Sequence, residues 1–291
     1  MGEKIICPVC GADNNKIFVK KNGHILRVCK VCRLIFVWPI PKNLEEIYKK
    51  EYFKGSEKKD FGYTNYDEDK EPMKNIFIFY LKKFKRLVSG RRIFDIGAAT
   101  GYFLDLARDR GWQTAGVEIS KYASDIAKFK KHEIYNNSSL GDFHQHKFDV
   151  VTMWDVLEHL QSPKEYLKNV NKILNQGGVL AINTVDAGSW WAKLFGKKWH
   201  QLNPPEHLFY FSKNNLKLLL KNSGFKVLEK RKISKKFSLT YVFKVLHNWQ
   251  GLKIWQKLER FFNKSFWRKF YLPINLRDNI FILAKKYKEL D

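Results

Sequence analysis

A doubly wound α/β sheet with a small metal-stapled module at its N-terminus is the fold class this sequence predicts. Three observations predict it. Four cysteines are confined to two C-x-x-C pairs, a strand–glycine turn–helix–strand unit occupies 91–120, and strand–helix alternation continues after it. The 291 residues are enough for one full α/β core and a small appendage. Hydrophobic residues at 44% and aromatic residues at 15% exclude a disordered chain. Apolar runs such as "NIFIFYL" and "DNIFILA" stop far short of the roughly 18 residues a membrane span needs. The opening "MGEKIICPVC" has no apolar core of signal-peptide length, so the expected location is the cytoplasm. Gly2 alone would suggest myristoylation, but Lys4 and the cysteines after it favour a metal module.

Lys and Arg number 54 against 29 Asp and Glu, a net charge of +25. Such an excess concentrates anions: nucleic acid, phospholipid head groups or diphosphate-linked substrates. A compositional origin fits equally, because Lys, Ile, Asn, Phe and Tyr are abundant together, as in an A/T-rich genome. Lys outnumbers Arg, and Lys is the weaker sign of specific phosphate recognition.

The first element is the module at 1–38. "CPVCG" holds Cys7 and Cys10, and "CKVCR" holds Cys29 and Cys32. Two C-x-x-C turns around a hairpin-length segment have the spacing of a zinc ribbon. Four thiolates close a tetrahedral shell and leave no open position for chemistry, so the expected Zn²⁺ is structural. Disulfides are the competing reading, and a cytoplasmic chain with a large core elsewhere does not need them.

A helical lead-in and lid is expected over 39–90. Its charged stretch "KGSEKKDFGYTNYDEDKEP" reads as a connector, and Pro72 precedes the helix "MKNIFIFYLKKFKRL". The main domain then runs over 91–291. "RIFDI" is a short buried strand, "GAATG" a turn, and "YFLDLARDRG" a helix that stops at Gly111. "QTAGVEI" is the next strand. Such a βαβ unit binds its nucleotide at the carboxyl ends of the strands. Gly97 and Gly101 let the backbone approach a ligand closely. Glu118 closes the second strand, where an acid can accept both ribose hydroxyls. Position 99 is Ala, so the turn reads G-x-x-x-G rather than the G-x-G-x-x-G of pyrophosphate binders. Asp95, two residues before Gly97, would repel a diphosphate and attract an ammonium.

"FDVVTMWDVLEHL" reads as an apolar strand, a turn and an acidic helix start. "LNQGGVLAINT" reads as a helix end, a Gly-Gly turn and a strand. "SGFKVLEKRKI" and "RDNIFILAKKY" are two further strands. Taken together, "FDIGAATGYFL", "GVEIS", "FDVVTMWDVLEHLQSP", "ILNQGGVLAINT" and "PPEHLFYFS" resemble the class I S-adenosylmethionine-dependent methyltransferases. The nearest type is the bacterial group with an N-terminal four-cysteine zinc ribbon, and the segments "LEEIYKKEYF" and "GYTNYDED" resemble its lead-in. The resemblance covers nearly the whole chain and is specific for the methyl donor, not for the acceptor. Ala99 departs from the family's third glycine.

The resemblance implies a seven-stranded Rossmann-like sheet and a site at its carboxyl edge. The turn from Gly97 through Ala98 to Gly101, followed by Tyr102, would wrap the methionine end of S-adenosylmethionine. Asp95 would hold its ammonium, Glu118 its ribose hydroxyls and Ile119 its adenine face. An acceptor near Asn137 to Ser139 would read the adenine amino group. Met153 and Trp154 would line the sulfonium side; plain core packing is the equal alternative. Asp155, Glu158 and His159 are expected to start the next helix, with Asp155 as a cap and His159 as a packing histidine.

Methyl transfer needs alignment of nucleophile, methyl and sulfur, and positioning alone contributes about 7–11 kcal/mol. A base adds about 10²–10⁴-fold. "NPPEHLFYF" (203–211) supplies a candidate: His207 as base, oriented by Glu206 or Asp186. The alternative is that the pair caps the helix expected near Ser212. His200, Tyr63 and Tyr66 are weaker candidates.

A basic, aromatic insertion is expected at about 234–276. Trp255, Leu258 and Phe262 fall at helical spacing, with Lys253, Lys257 and Arg260 on other faces. Such a helix can pack on its own domain, cover a lipid-linked substrate, form a dimer face, or lie peripherally on the inner membrane face. The expected function is methyl transfer to a small or lipid-linked acceptor, such as a sugar or glycan precursor. The rivals are an RNA methyltransferase and a non-catalytic protein that holds S-adenosylmethionine or RNA. Dispersed basic residues and the lack of an RNA-stacking motif weigh against RNA.

Overall fold

The computed structural model describes residues 4–41, 67, 70–136, 146–233, 237–238, 243, 246–247, 252–262, 271–272 and 277–289. Asn137, Tyr63, Tyr66, the lead-in segments at 42–66 and most of the insertion lie outside the described residues.

The N-terminal module is built on a hairpin, β1 (Asn15–Lys21) and β2 (His24–Cys29), followed by β3 (Ile35–Val37). Its fourth strand comes from far along the chain. β9 (Phe209–Tyr210), inside the "PPEHLFYF" segment, pairs antiparallel with β3, with Ile35 opposite Tyr210 and Phe36 opposite Phe209. Phe36, Phe209 and Phe211 are fully buried in one core with Leu26, Leu34 and Val37. Each buried phenyl stabilises by roughly 1.5–3 kcal/mol, so the module is welded to the main domain.

The main sheet has seven strands. β4 (Arg92–Ile96), β5 (Gln113–Val117), β6 (Glu133–Tyr135), β7 (Phe148–Trp154) and β8 (Leu174–Val185) run parallel. β11 (Phe237–Ser238) and β12 (Tyr271–Leu272) pair antiparallel with each other. β13 (Asn279–Lys286) inserts antiparallel between β8 and β10 (Phe225–Arg231), which completes the order β10-β13-β8-β7-β4-β5-β6. β7 is almost continuously buried, as expected for a strand covered on both faces. Helices supply that cover. α1 (Lys74–Leu87) buries Phe77, Tyr80, Leu81 and Phe84, one stripe at helical spacing. α2 (Tyr102–Arg108) and α3 (Lys121–Phe129) follow β4 and β5.

Two local readings change. The acidic segment at 155–159 does not start a helix. Asp155 has φ +59°, one 3-10 turn covers Leu157–His159, and α4 (Pro163–Ile173) begins only after Leu160 returns to extended backbone. Pro163 is preset for a first helical turn, so the start falls there. The Gly-Gly turn is absorbed into β8: the ladder partner on β8 jumps from Leu174 to Val179, with Gly177 at φ +77°. α5 (Trp190–Phe195) and α6 (Lys213–Asn222) follow, and α7 (Lys253–Phe262) is the expected amphipathic helix of the insertion. α7 buries none of its residues among the described ones, and Ile254 and Phe261 are exposed.

Candidate active site

In chain order the sheet grows from β4 through β5 to β6, then returns to place β7 on the other side of β4. That reversal makes the carboxyl ends of β4 and β7 a topological switch point, the place where open α/β sheets bind ligands. The glycine turn lies there. Gly97, Ala99 and Gly101 have φ of +73°, +48° and +81°, the left-handed region that glycine tolerates. A Cβ on Gly97 would meet Val156 at 2.6 Å, and one on Gly101 would meet His132 at 2.9 Å. His132 is itself held between the Thr114 hydroxyl and the Asp105 carboxylate, each at 2.9 Å. The amides of Gly97 and Ala98 both donate to the Val117 carbonyl, so the turn is tied to β5.

Two buried carboxylates stand at this switch point. Glu118 accepts from the amides of Ala99 and Ser120, each at 2.8 Å. Burial pushes its pKa up, against the pull of these N–H donors. Asp95 accepts from the Thr152 hydroxyl at 2.5 Å across the β4–β7 ladder. Burial pushes its pKa up to about 8; Thr152 opposes that, the Glu118 charge adds to it, and Lys70 opposes it. Two buried acids so close call for a cation and hydroxyl donors. An α-ammonium and a ribose supply both, so the donor set fits S-adenosylmethionine. Ile119, just past Glu118, is 36% exposed, an apolar surface suited to a base face. Tyr102 starts α2 and donates to Glu71.

Met153 and Trp154 are neighbours on β7, so they point to opposite faces. Met153 is fully buried in the core shared with the N-terminal module. Trp154 packs on Phe77 at 4.7 Å and Phe103 at 5.5 Å in the other layer. Both are packed in the core, and they do not share one face. Sequence reading missed Lys70, which is buried and pairs with Asp155 at 3.3 Å. A single lysine in a lysine-rich lead-in carries no sequence signal of burial.

The "PPEH" segment reaches the same edge of the sheet. His207 Nδ1 bonds the Gln201 carbonyl at 2.9 Å. The Glu206 side chain instead accepts from the Asn203 amide at 2.6 Å, and Asp186 bonds Gly188 N–H and Lys232. The orienting group on His207 is therefore a backbone carbonyl rather than the expected carboxylate. The pair does not cap α6 either: Ser212 and Asn215 form a capping box there. His200 lies against Asp278 at 3.3 Å. What His207 does meet is His159, with ring centroids 4.9 Å apart and edge to face. His159, Glu158 and His207 each offer a ligand atom within 4.8 Å of the others. Burial pushes the His207 imidazole below its ordinary value, and His159 pushes the same way.

In the N-terminal module the four cysteine sulfurs cluster within 4.8 Å. Cys7 Sγ lies 3.5 Å from Cys32 Sγ, and Cys10 Sγ 3.6 Å from Cys29 Sγ. A disulfide needs about 2.05 Å. A tetrahedral zinc with bonds of about 2.3 Å sets its sulfurs about 3.8 Å apart, so the thiols fit a structural zinc.

A family profile described as "Methyltransferase domain" matches residues 69–230. The chain belongs to the methyltransferase-domain family. Among curated relatives, the ubiquinone biosynthesis O-methyltransferase of Idiomarina loihiensis is 28% identical over 111 residues, 35% of this chain and 46% of that protein. The protein of the same name from Coxiella burnetii is 24% identical over 106 residues, 34% of this chain and 45% of that protein. The alignment thus spans about half the length of these curated relatives. Among solved structures, a SAM-dependent methyltransferase from Archaeoglobus fulgidus superposes with a TM-score of 0.50 at 18% identity, over 81% of this chain and 97% of that one. The YcgJ protein of Bacillus subtilis does so with a TM-score of 0.52 at 16% identity, over 74% and 99%. At such identities the likeness shows the fold. The methyltransferase domain is an S-adenosylmethionine-dependent one, of class I fold with a seven-stranded sheet. No helix among the described residues is long and apolar enough to cross a membrane.

Proposed function

We propose that this methyltransferase moves the methyl group of S-adenosylmethionine to a hydroxyl of a small or lipid-linked acceptor, with sugar or glycan precursors as the acceptor class. The observation that carries the donor half is the pair of buried carboxylates, Asp95 and Glu118, around the left-handed Gly97–Gly101 turn. S-Adenosylmethionine brings a sulfonium methyl already primed for transfer. Asp95 holds its ammonium, Glu118 its ribose hydroxyls, and Ile119 packs on its adenine. Oxygen as the accepting atom is supported by the relatives, which are named O-methyltransferases. The net charge of +25 suits an acceptor carrying phosphate or diphosphate. The exposed apolar side chains of α7, with Lys253, Lys257 and Arg260 beside them, suit a lipid-linked one. The acceptor proton leaves at the Glu158–His159–His207 cluster, with Glu206 shaping the loop through Asn203.

The test is incubation of the purified protein with methyl-labelled S-adenosylmethionine and separated nucleotide-sugar, lipid-linked glycan and RNA fractions. Label in a glycan fraction, lost in His207→Ala while S-adenosylmethionine still binds, supports the reading. Label in RNA overturns the acceptor class.

A further inference from the structure

Three side chains on two distant segments converge past the carboxyl end of β7. Glu158 and His159 come from the 3-10 turn after β7, and His207 from the loop before β9. The Leu208 amide donates to the Glu158 carbonyl at 2.8 Å, which holds the two segments in register. His159 Nδ1 lies 2.6 Å from the Glu206 carbonyl and His207 Nδ1 2.9 Å from the Gln201 carbonyl. A carbonyl only accepts, so each Nδ1 carries the hydrogen and each neutral ring keeps its lone pair on Nε2. Imidazoles whose other nitrogen donates to a backbone carbonyl are the usual form of a metal-ligating histidine. Glu158 is 1% exposed, and its Oε2 accepts from the buried Thr184 hydroxyl at 2.8 Å. A ligating carboxylate is anchored in the same way by its surroundings.

We propose that Glu158, His159 and His207 form a divalent metal site of the two-histidine, one-carboxylate type, separate from the four-cysteine site. This donor set suits zinc or another first-row transition ion, and three protein ligands leave coordination positions open. The site lies at the carboxyl end of β7, one turn from Asp155 and Val156. Its use there rests on the methyl-transfer reading. An acceptor hydroxyl that coordinates the ion loses its proton to water more readily. Its oxygen then bonds the methyl carbon as the carbon–sulfur bond breaks, and the sulfonium becomes a neutral thioether. The histidines thereby act as ligands, and neither is required as a free base.

The experiment uses the metal-free full chain, given one equivalent of zinc to fill the four-thiolate site first and desalted, then titrated with Co²⁺. We expect one further equivalent of cobalt, with weak visible d–d bands and no thiolate charge-transfer band, which distinguishes it from the cysteine site. His207→Ala and Glu158→Gln should weaken cobalt binding at least about tenfold, and Thr184→Val by about tenfold, as loss of an outer partner does. S-Adenosylmethionine affinity and a cooperative melt identify variants that remain folded, and Thr184→Val keeps the test open if a ligand variant does not fold. Failure of the wild type to bind a further cobalt, or equal binding by the His159→Ala/His207→Ala double variant, overturns the site. Methyl transfer without cobalt binding would sink the metal and leave the methyltransferase reading standing. Cobalt bound by the triad without methyl transfer to any acceptor would do the reverse.

Discussion

Leu208 is bonded from both sides: its amide donates to the Glu158 carbonyl at 2.8 Å, and its carbonyl accepts from the Val37 amide at 2.9 Å. One residue thus connects the N-terminal module to the turn after β7. His207 is its neighbour, so the module sets where that imidazole stands. The four-cysteine cluster belongs to this same module.

Loading the four cysteines with zinc and then stripping it should therefore be felt at the turn after β7. Chelation is expected to lower the melting temperature by more than about 5 °C, given roughly 2–4 °C per kcal/mol in a chain of this size. It should also speed hydrogen exchange at the amides of Leu208 and Tyr210. Unchanged exchange there would mean that β9 keeps its place without the metal.

Asp95 makes the ligand-free protein sensitive to pH. Its pKa in the fold is about 8, raised above the ordinary 3.8 chiefly by burial. The folded state therefore holds this proton more tightly than the unfolded chain. The resulting stability is fully present below pH 4 and is lost as pH rises toward 8. Asp95→Asn should raise stability at pH 8 by on the order of 1–3 kcal/mol and change little at pH 4. Urea melts at the two pH values read this directly. On the proposed placing of S-adenosylmethionine, the same variant should also weaken its binding by removing the charge opposite the ammonium.

Glu118 presents a carboxylate already ordered by two backbone amides. Glu118→Gln would set an NH₂ against one of them and remove the charge proposed to bond the ribose hydroxyls. Hydrogen bonds to charged groups contribute about 1.5–3 kcal/mol, so calorimetry should show affinity for S-adenosylmethionine falling by roughly 10–100-fold. An unchanged affinity would place the ribose elsewhere.

Ala99 carries a methyl in the left-handed region, at φ +48°. The strain is about 1–2 kcal/mol. Against it stands one buried methyl packed near Ala123, about 0.8 kcal/mol. The strain outweighs the burial of that methyl, so Ala99→Gly should raise stability by up to about 1 kcal/mol in urea melts. Gly97→Ala should do the opposite, because its Cβ would meet Val156 at 2.6 Å at a positive φ.

The alternation of strands and helices was legible because buried strands and amphipathic helices write their periods into the chain. "RIFDI" and the Phe77, Tyr80, Leu81 and Phe84 stripe are examples. The helix start at Pro163 was not legible, because acids at 155–159 suit a helix N-terminus, while the left-handed Asp155 that prevents one is visible only in the folded backbone. Met153 and Trp154 illustrate the same gap: adjacency in sequence hides that a strand sends them to different layers. Lys70 gave no signal, since its burial depends on Asp155 eighty-five residues away.

By itself the sequence determined the parts whose causes are local. These are the paired cysteines, the glycine turn, the acids at the ends of β4 and β5, and the amphipathic faces. Spacing of a few residues decides thiol geometry, positive φ and helix face, so these properties need no distant partner. Tertiary structure alone decided that β9 completes the N-terminal sheet and that His159 meets His207 across forty-eight residues of chain. Long-range pairing depends on which buried surfaces and backbone ladders close together, and that choice is made by the whole core rather than by any one segment.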